Sequence, residues 1–422
     1  MPRPPIRALQ VSWETPINPK LPTKGPLEGI KILDCTIWQN GPLASVMLGD
    51  MGADIIKVEE PKKGDPSRRL VEIGSPPSGV GAYFEANNRN KRSMSLNLKS
   101  EAGIALFYRL VKNTDIVMHN FKVGVAERLG IDHSSLTKHN KKIITAVATG
   151  LGKKGDDAKL GVFDILGLAR SGAMHALRYP GCDYQYTAAF GLADQVGALV
   201  LAQGITLALL ARERFDIGQE IEASQLGSMM LLQQMGITRQ LINGIGPTIA
   251  DRTQNVNPLF SVYPGSGDRW FAIGGLQPDR YWKDFCLVIG RSDIVFDKRF
   301  EDMSSRTRHA AELVAILDTI FIKKPREYWL SQLAIKEIPC APINDYNDLK
   351  TDCQVVANQY ITQVEHPGAG TISAVGLPIK LSETPGEIQS TAPEFGQHTE
   401  ILLLEEGLSW EEINELKEKN AI

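Results

Sequence analysis

Short apolar runs alternate with longer amphipathic ones through the first third of the chain. Ile30-Lys31-Ile32-Leu33-Asp34 predicts a strand, Leu43 to Met51 a helix, and Asp54-Ile55-Ile56-Lys57-Val58 a second strand. Further strands are expected at 93–97, 115–118 and 143–148. Between them, a helix from Ser100 to Val111 sets Ile104, Phe107, Leu110 and Val111 on one face, and another begins near Val123. Strands alternating with helices are the pattern of a parallel sheet covered on both faces, and the right-handed crossover rule leaves few topologies for it. The first strand turns at Trp38-Gln39-Asn40-Gly41-Pro42 and carries no Gly-x-Gly-x-x-Gly fingerprint. The glycines that let a dinucleotide pyrophosphate approach the first helix are missing, so the fold serves something other than ordinary NAD binding.

Residues 194–242 predict two long apolar helices joined by Asp216-Ile217-Gly218-Gln219. The most apolar stretch, Val196 to Ala211, is shorter than a membrane span and is interrupted by Gln203, Gly204 and Thr206, which predicts a buried helix. After Asn243 glycine, proline and aromatic residues take over, and a smaller second domain is expected. It would hold a strand-turn-strand at Leu259–Tyr263 and Trp270–Ile273, then charged helices around 279–289, 307–322 and 325–334. Ile338-Pro339-Cys340-Ala341-Pro342 has the proline spacing of an extended linker. A strand at Gly370–Ser373 follows, and a last helix from Trp410 opens on Ser409 and Glu412, a capping-box pair.

Composition narrows the class. The chain has 422 residues, enough for two domains, with 46 basic and 49 acidic side chains and a hydrophobic share of 43%. That is the balance of a soluble globular enzyme; neither a nucleic-acid partner nor a membrane is expected. Cys35, Cys182, Cys286, Cys340 and Cys353 show no C-x-x-C spacing, and five is an odd number for a disulfide framework, so reduced thiols in a cytoplasmic protein are expected. Met1 to Pro26 is proline-rich and polar without the apolar core of a signal peptide, and reads as an extended arm.

Three stretches carry chemistry. Asn87-Asn88-Arg89-Asn90-Lys91-Arg92-Ser93-Met94 is a basic loop running into a strand, either a solvated connection or a grip on phosphates. His119-Asn120-Phe121-Lys122-Val123-Gly124-Val125-Ala126-Glu127-Arg128 lies at a strand's carboxyl end, where open α/β sheets bind ligands; Arg128 is either a phosphate contact or an ordinary helix-surface residue. Phe190-Gly191-Leu192-Ala193-Asp194-Gln195 precedes the apolar helix. Asp194 there is expected to be an N-cap, and a helix N-terminus favours its ionised form, a usable nucleophile toward an activated carbonyl.

Taken in order, these stretches resemble CoA-transferase family III, the group that includes formyl-CoA transferase, carnitine CoA-transferase and the α-methylacyl-CoA racemases. The likeness runs from Leu27 to Gly407. Its marks are Leu27 to Asp34, Gly41-Pro42, Leu48 to Glu59, Gly64-Asp65-Pro66, Asn90-Lys91-Arg92-Ser93, Asn120-Phe121, Glu127-Arg128-Leu129-Gly130, Arg212 with Gly218-Gln219, and Ala392 to Thr399. The resemblance implies an α/β protein with a Rossmann-like large domain built from both chain ends, a smaller inserted α+β domain, and two ring-like subunits interlocked as a homodimer. The boundaries expected are an arm at 1–26, the large domain at 27–222, the small domain with its linkers at 223–338, and a linker with the rest of the large domain at 339–422.

It also implies that Asp194 is a covalent nucleophile, that Gln39 acts beside it in the active site, and that Gln39 and Asn40 line the pantetheine path. Asn90, Lys91, Asn120, Phe121, Val125 and Arg128 fall where the family holds coenzyme A. An acyl-CoA thioester is then a substrate, with an organic acid as acceptor, and no metal or tightly bound cofactor is expected. Glu60 stands where formyl-CoA transferase has an arginine and Gly161 where it has a lysine, so the adenosine phosphate grip differs in detail. Gly274-Gly275-Leu276 lies near the place of that enzyme's glycine-rich lid. Trp38, Gln39, His119, Gln225 and the loop from Arg252 to Pro258 are candidate pocket lining, with Arg252 either on a second carboxylate or in an interdomain salt bridge. The alternatives are a racemase built on Asp164, whose usual histidine partners are Phe163 and Thr137 here, and a non-catalytic CoA-binding subunit of a heteromeric transferase.

Overall fold

The computed structural model describes residues 25–70, 80–178, 181, 191–247 and 251–422. The expected arm lies almost wholly outside them, as do Cys182 and Phe190. Two compact units divide the chain. One holds the residues up to Thr149 together with Ala198–Ala223 and Thr362–Ile422; the other holds Gly150–Gly197 and Ser224–Ile361. The stretch 150–197, expected within the large domain, thus clusters with the second unit.

The first unit is α/β. Strands β1 (Lys31–Asp34), β2 (Asp54–Glu59), β3 (Lys91–Ser95), β4 (Ile116–His119), β5 (Ile144–Thr149) and β6 (Glu220–Ser224) form one sheet in the order β3-β2-β1-β4-β5-β6. The pairs β1–β2, β1–β4, β2–β3 and β4–β5 are all parallel. Every residue of β4 and β5 is buried, which is why these strands read as continuous apolar runs.

Alternation sorts the strand residues to two faces. Leu33, Ile56, Val58, Met94 and Val117 pack with Leu106, Phe107 and Leu110 of the helix Glu101–Val111 and with Leu402, Leu403 and Ile413 from the chain's C-terminal helices. Ile32, Ile55, Ile116, Met118, Ile144 and Ala146 pack on the other side with Ala44 and Leu48 of the helix Asn40–Gly49 and with Ala198, Leu201, Ala202, Ile205 and Ala208. The C-terminal helix starts at Trp410 behind the expected Ser409/Glu412 capping box.

Three expectations are corrected. The region read as two helices with a loop contains β6, a short edge strand whose alternating Glu220-Ile221-Glu222-Ala223 carries too little apolar signal to stand out. The helix before it, Leu192–Phe215, has 24 residues, long and apolar enough to cross a membrane by length and composition. Only one of its faces is buried: Leu199, Leu207 and Leu210 are each more than half exposed. Finally, Cys340–Pro342 is no linker but β9, the third strand of a small sheet.

That sheet belongs to the second unit. It joins β7 (Phe260–Pro264), β8 (Trp270–Gly274) and β9 in antiparallel order over an aromatic core in which Phe321 meets Tyr263, Phe271, Phe285 and Trp329. Strands β10 (Ile361–His366) and β11 (Gly370–Val375) pair separately.

Candidate active site

In the second unit, three helices meet around Asp194. Leu168 from the helix Asp164–Arg170, Ala173, Ala193 and Met229 from the helix Gln225–Leu232 form a small buried cluster. Gly167 makes the approach possible, since a Cβ there would stand 3.0 Å from the Ala193 Cβ and 3.2 Å from the Gln225 Oε1. Asp164 Oδ1 accepts the backbone N–H groups of Ala193 at 2.6 Å and Asp194 at 3.1 Å. Asp164, not Asp194, therefore satisfies the open end of the long helix. The N-cap expectation for Asp194 is corrected: the helix begins at Leu192, and Asp194 sits inside its first turn.

Released from capping, the Asp194 carboxylate accepts a hydrogen bond from Gln225 Nε2. Burial, reinforced by the negative charge of Asp164 and opposed by that hydrogen bond, pushes its carboxyl up to about 6. The helix terminus does not hold it permanently ionised, as expected from sequence, because desolvation of the charged form outweighs the helix dipole. Near neutral pH it is nonetheless mostly a carboxylate, a nucleophile of raised basicity in a partly dry setting. Asp164, the residue of the racemase alternative, is buried with one oxygen committed to two backbone donors.

In the first unit the expected phosphate grip is used internally. Arg89 forks onto Asp50 and Arg92 onto Asp54. Lys91 Nζ reaches Asp34 Oδ2 at 3.1 Å and three oxygens of Pro42, Asn87 and Asn88 at 2.9 Å. The Asn90 amide accepts the backbone N–H groups of Gln389 and Ser390 and donates to Asp50 and the Glu387 carbonyl, tying the C-terminal segment to the sheet. The loop is not a simple solvated connection, because every cation in it pairs with a carboxylate.

The turn Ile37-Trp38-Gln39 is held from two sides. Asn120 accepts from the Ile37 N–H at 3.0 Å and donates to the Ile37 carbonyl at 2.7 Å. Asp65 Oδ1 accepts from the Trp38 N–H at 3.2 Å while Asp65 Oδ2 pairs with the buried Lys57. Trp38 itself has φ of 70°, a conformation that costs a bulky residue energy and persists only when its neighbours enforce it. The turn delivers Gln39 and Asn40, both buried, to the start of the helix Asn40–Gly49, where Asn40 Oδ1 has no hydrogen-bond partner among the described residues.

Beside this turn, at the carboxyl ends of β1 to β4, opens a cavity of about 300 Å³. Phe121, Val125, Leu129, Leu96 and Leu98 line it, with Lys63 and Lys99 among its polar groups. This is the topological switch point of the sheet, where the strand order reverses between β1 and β4. Arg128 is exposed on the short helix Val125–Leu129 and makes no ion pair among the described residues. Lys99 was not foreseen; it follows β3 and pairs with Glu60 at 2.8 Å, so the glutamate at the expected arginine position has its own local cation. Arg252 forks onto Asp318 at 2.6 Å, a salt bridge within the second unit rather than the interdomain one expected.

The family model described as CoA-transferase family III matches residues 27–399. The chain belongs to CoA-transferase family III. It is 32% identical over 411 residues to an acyl-CoA transferase of Fusarium pseudograminearum, covering 95% of this chain and 89% of that one. A succinate–glutarate CoA-transferase of Agrobacterium fabrum is 30% identical over 387 residues, 90% of this chain and 96% of the relative. The crystal structure of a CAIB/BAIF family protein from Brucella suis superposes with a TM-score of 0.82 at 28% identity, covering 91% of this chain and 100% of the other. A family III CoA-transferase is an enzyme of the transferase class, and these relatives support CoA transfer as its general activity.

Proposed function

We propose that the protein moves coenzyme A from an acyl-CoA thioester to a free carboxylic acid with Asp194 as covalent nucleophile. The observation that carries this reading is the Asp194 carboxylate, relieved of capping by Asp164 and raised in basicity to about 6. Asp194 attacks the thioester carbonyl, the C–S bond breaks, and CoA thiolate leaves behind a mixed aspartyl–acyl anhydride. The thiolate then attacks the aspartyl carbonyl, releasing the donor acid and forming an aspartyl-CoA thioester. The acceptor carboxylate attacks that thioester to give a second anhydride and free thiolate. Attack of the thiolate on the new acyl carbon yields the product thioester and restores Asp194.

The cavity at the switch point, with Phe121 and Val125 in its wall and Lys63 and Lys99 beside it, suits the adenine and phosphate end of coenzyme A. Gln39 and Asn40 are read as lining the pantetheine path, where Asn40 Oδ1, without a hydrogen-bond partner among the described residues, is an acceptor for an amide N–H. Arg128, exposed and without an ion pair among the described residues, adds a cation for the same phosphates. The relative named for succinate and glutarate supports small carboxylic acids as the substrate class. An interlocked homodimer belongs to this reading, supported by the uncovered apolar face of Leu199, Leu207 and Leu210. Buried Cys35 and Cys286, both free thiols, suit a reducing cytoplasm.

The test is intact-protein mass spectrometry after incubation with succinyl-, acetyl- and cinnamoyl-CoA, followed by hydroxylamine trapping. A hydroxamate on the peptide containing Asp194, lost in Asp194→Asn, is expected. No adduct with any donor, together with α-proton exchange in deuterated water, would transfer the reading to the racemase alternative.

A further inference from the structure

Gln225 is assigned no role by the fold: it is 4% exposed, an amide placed where an apolar side chain would fill the space. Its backbone is pinned on both sides, by the Ser224 side chain capping Gly227 at 3.0 Å and by the Leu226 N–H on the Gly150 carbonyl at 3.0 Å. The side chain thus projects from a fixed base. Nε2 donates to Asp194 Oδ1, while Oε1 faces Gly167 and has no partner among the described residues. A buried amide left half-satisfied is poor core design and is the mark of a group retained for the site.

We propose that Gln225 is a positioning residue for Asp194, holding Oδ1 so that Oδ2 is the oxygen directed at the thioester. The inference rests on the reading of Asp194 as nucleophile. An ionised Asp194 keeps the amide oriented, since the opposite orientation would set Oε1 against a carboxylate oxygen. The hydrogen bond also favours the charged form of Asp194 against burial and Asp164. Asp164, from the helix Asp164–Arg170, is the charged group bearing on Asp194. The helix Gln225–Leu232 contains no charged residue, and the helix Ala173–Ala176 packs through Ala173 with its His175 exposed.

The test uses full-length protein labelled with carboxyl carbon-13 aspartate, the Asp194 resonance being assigned by its absence in Asp194→Asn. Wild type is expected to titrate near 6, Gln225→Leu at a higher pH, and Gln225→Glu higher still. In the same proteins, with whichever acyl-CoA the wild type accepts, Gln225→Leu should lower kcat about tenfold at pH 6 and recover most of it at pH 8, with KM for the thioester unchanged. Coincident titration midpoints for wild type and Gln225→Leu, or an unchanged kcat at pH 6, would overturn the proposal. Full activity in Asp194→Asn would instead remove the nucleophile reading, while the titration still judges the Gln225 contact.

Discussion

Lys91 Nζ lies 3.1 Å from Asp34 Oδ2, with both side chains wholly shut off from solvent. Ser45 and Thr36 also donate to Asp34, which is held down to about 2 although burial alone would raise it. A lysine in this position is an internal counter-ion. Lys91→Met removes the ion-pair partner of Asp34 and leaves only the longer-range charge of Lys57, and breaking such a buried pair costs about 3–5 kcal/mol. Urea denaturation should therefore show a large loss of stability. A variant with wild-type stability and only a raised KM for acyl-CoA would return Lys91 to the role of a phosphate contact.

Asp194 predicts the pH dependence of turnover. The reactive form is the carboxylate and its carboxyl is pushed up to about 6, so activity is full above that pH and declines as pH falls through it. At pH 5 kcat/KM should be about tenfold lower than at pH 8. A profile that stays flat down to pH 5 contradicts this assignment.

The same carboxyl predicts a trade of stability for activity. Its folded value lies above the ordinary aspartate value of 3.8, so the folded state binds more protons between about 4 and 6. Wild-type stability therefore falls as pH rises through that window, and the cost is fully present above it. Asp194→Asn carries no such cost and still accepts the Gln225 hydrogen bond. It should be inactive yet about 1–2 kcal/mol more stable at pH 7, with the difference vanishing below pH 4. Equal thermal stability at pH 7 would count against the raised carboxyl.

Much of the fold is legible because it is local. The alternation of Ile32 and Leu33, or of Ile55 and Ile56, directs each residue to its own face of the sheet, and the Ser409–Glu412 box marks a helix start within four residues. What escaped is non-local. Cys340–Pro342 becomes a strand only because β8 is there to pair with it. The basic run at Asn87–Met94 looks like a phosphate grip until Asp50 and Asp54, 39 and 38 positions upstream of Arg89 and Arg92, are folded against it. Similarly, nothing near Asp194 in sequence announces that Asp164, 30 residues earlier, takes over its capping duty.

Asn120 offers a sharp test of the turn that presents Gln39. Both ends of its amide are engaged with Ile37, as acceptor at 3.0 Å and as donor at 2.7 Å. Asn120→Asp keeps the acceptor but sets a carboxylate oxygen against the Ile37 carbonyl. It should cost more stability than Asn120→Ala, with a loss of about 1–3 kcal/mol. Chemical denaturation of the two variants side by side decides it; the opposite order would mean that the amide works on a ligand rather than on the turn.

Phe121 tests what the cavity holds. It forms part of the wall at the carboxyl end of β4, beside Val125 and Leu129, and stacks against His119 with ring centroids 5.5 Å apart. Removing the ring takes away apolar surface and a stacking plane for a purine. Phe121→Ala should raise KM for acyl-CoA roughly tenfold or more, because stacking on an aromatic side chain is worth about 1–3 kcal/mol per base. The KM for the acceptor acid and kcat at saturating thioester should change little. Dephospho- and desadenosine analogues of the donor supply the check: if the cavity holds the adenine, the analogue without it loses affinity in wild type and loses nothing further in Phe121→Ala.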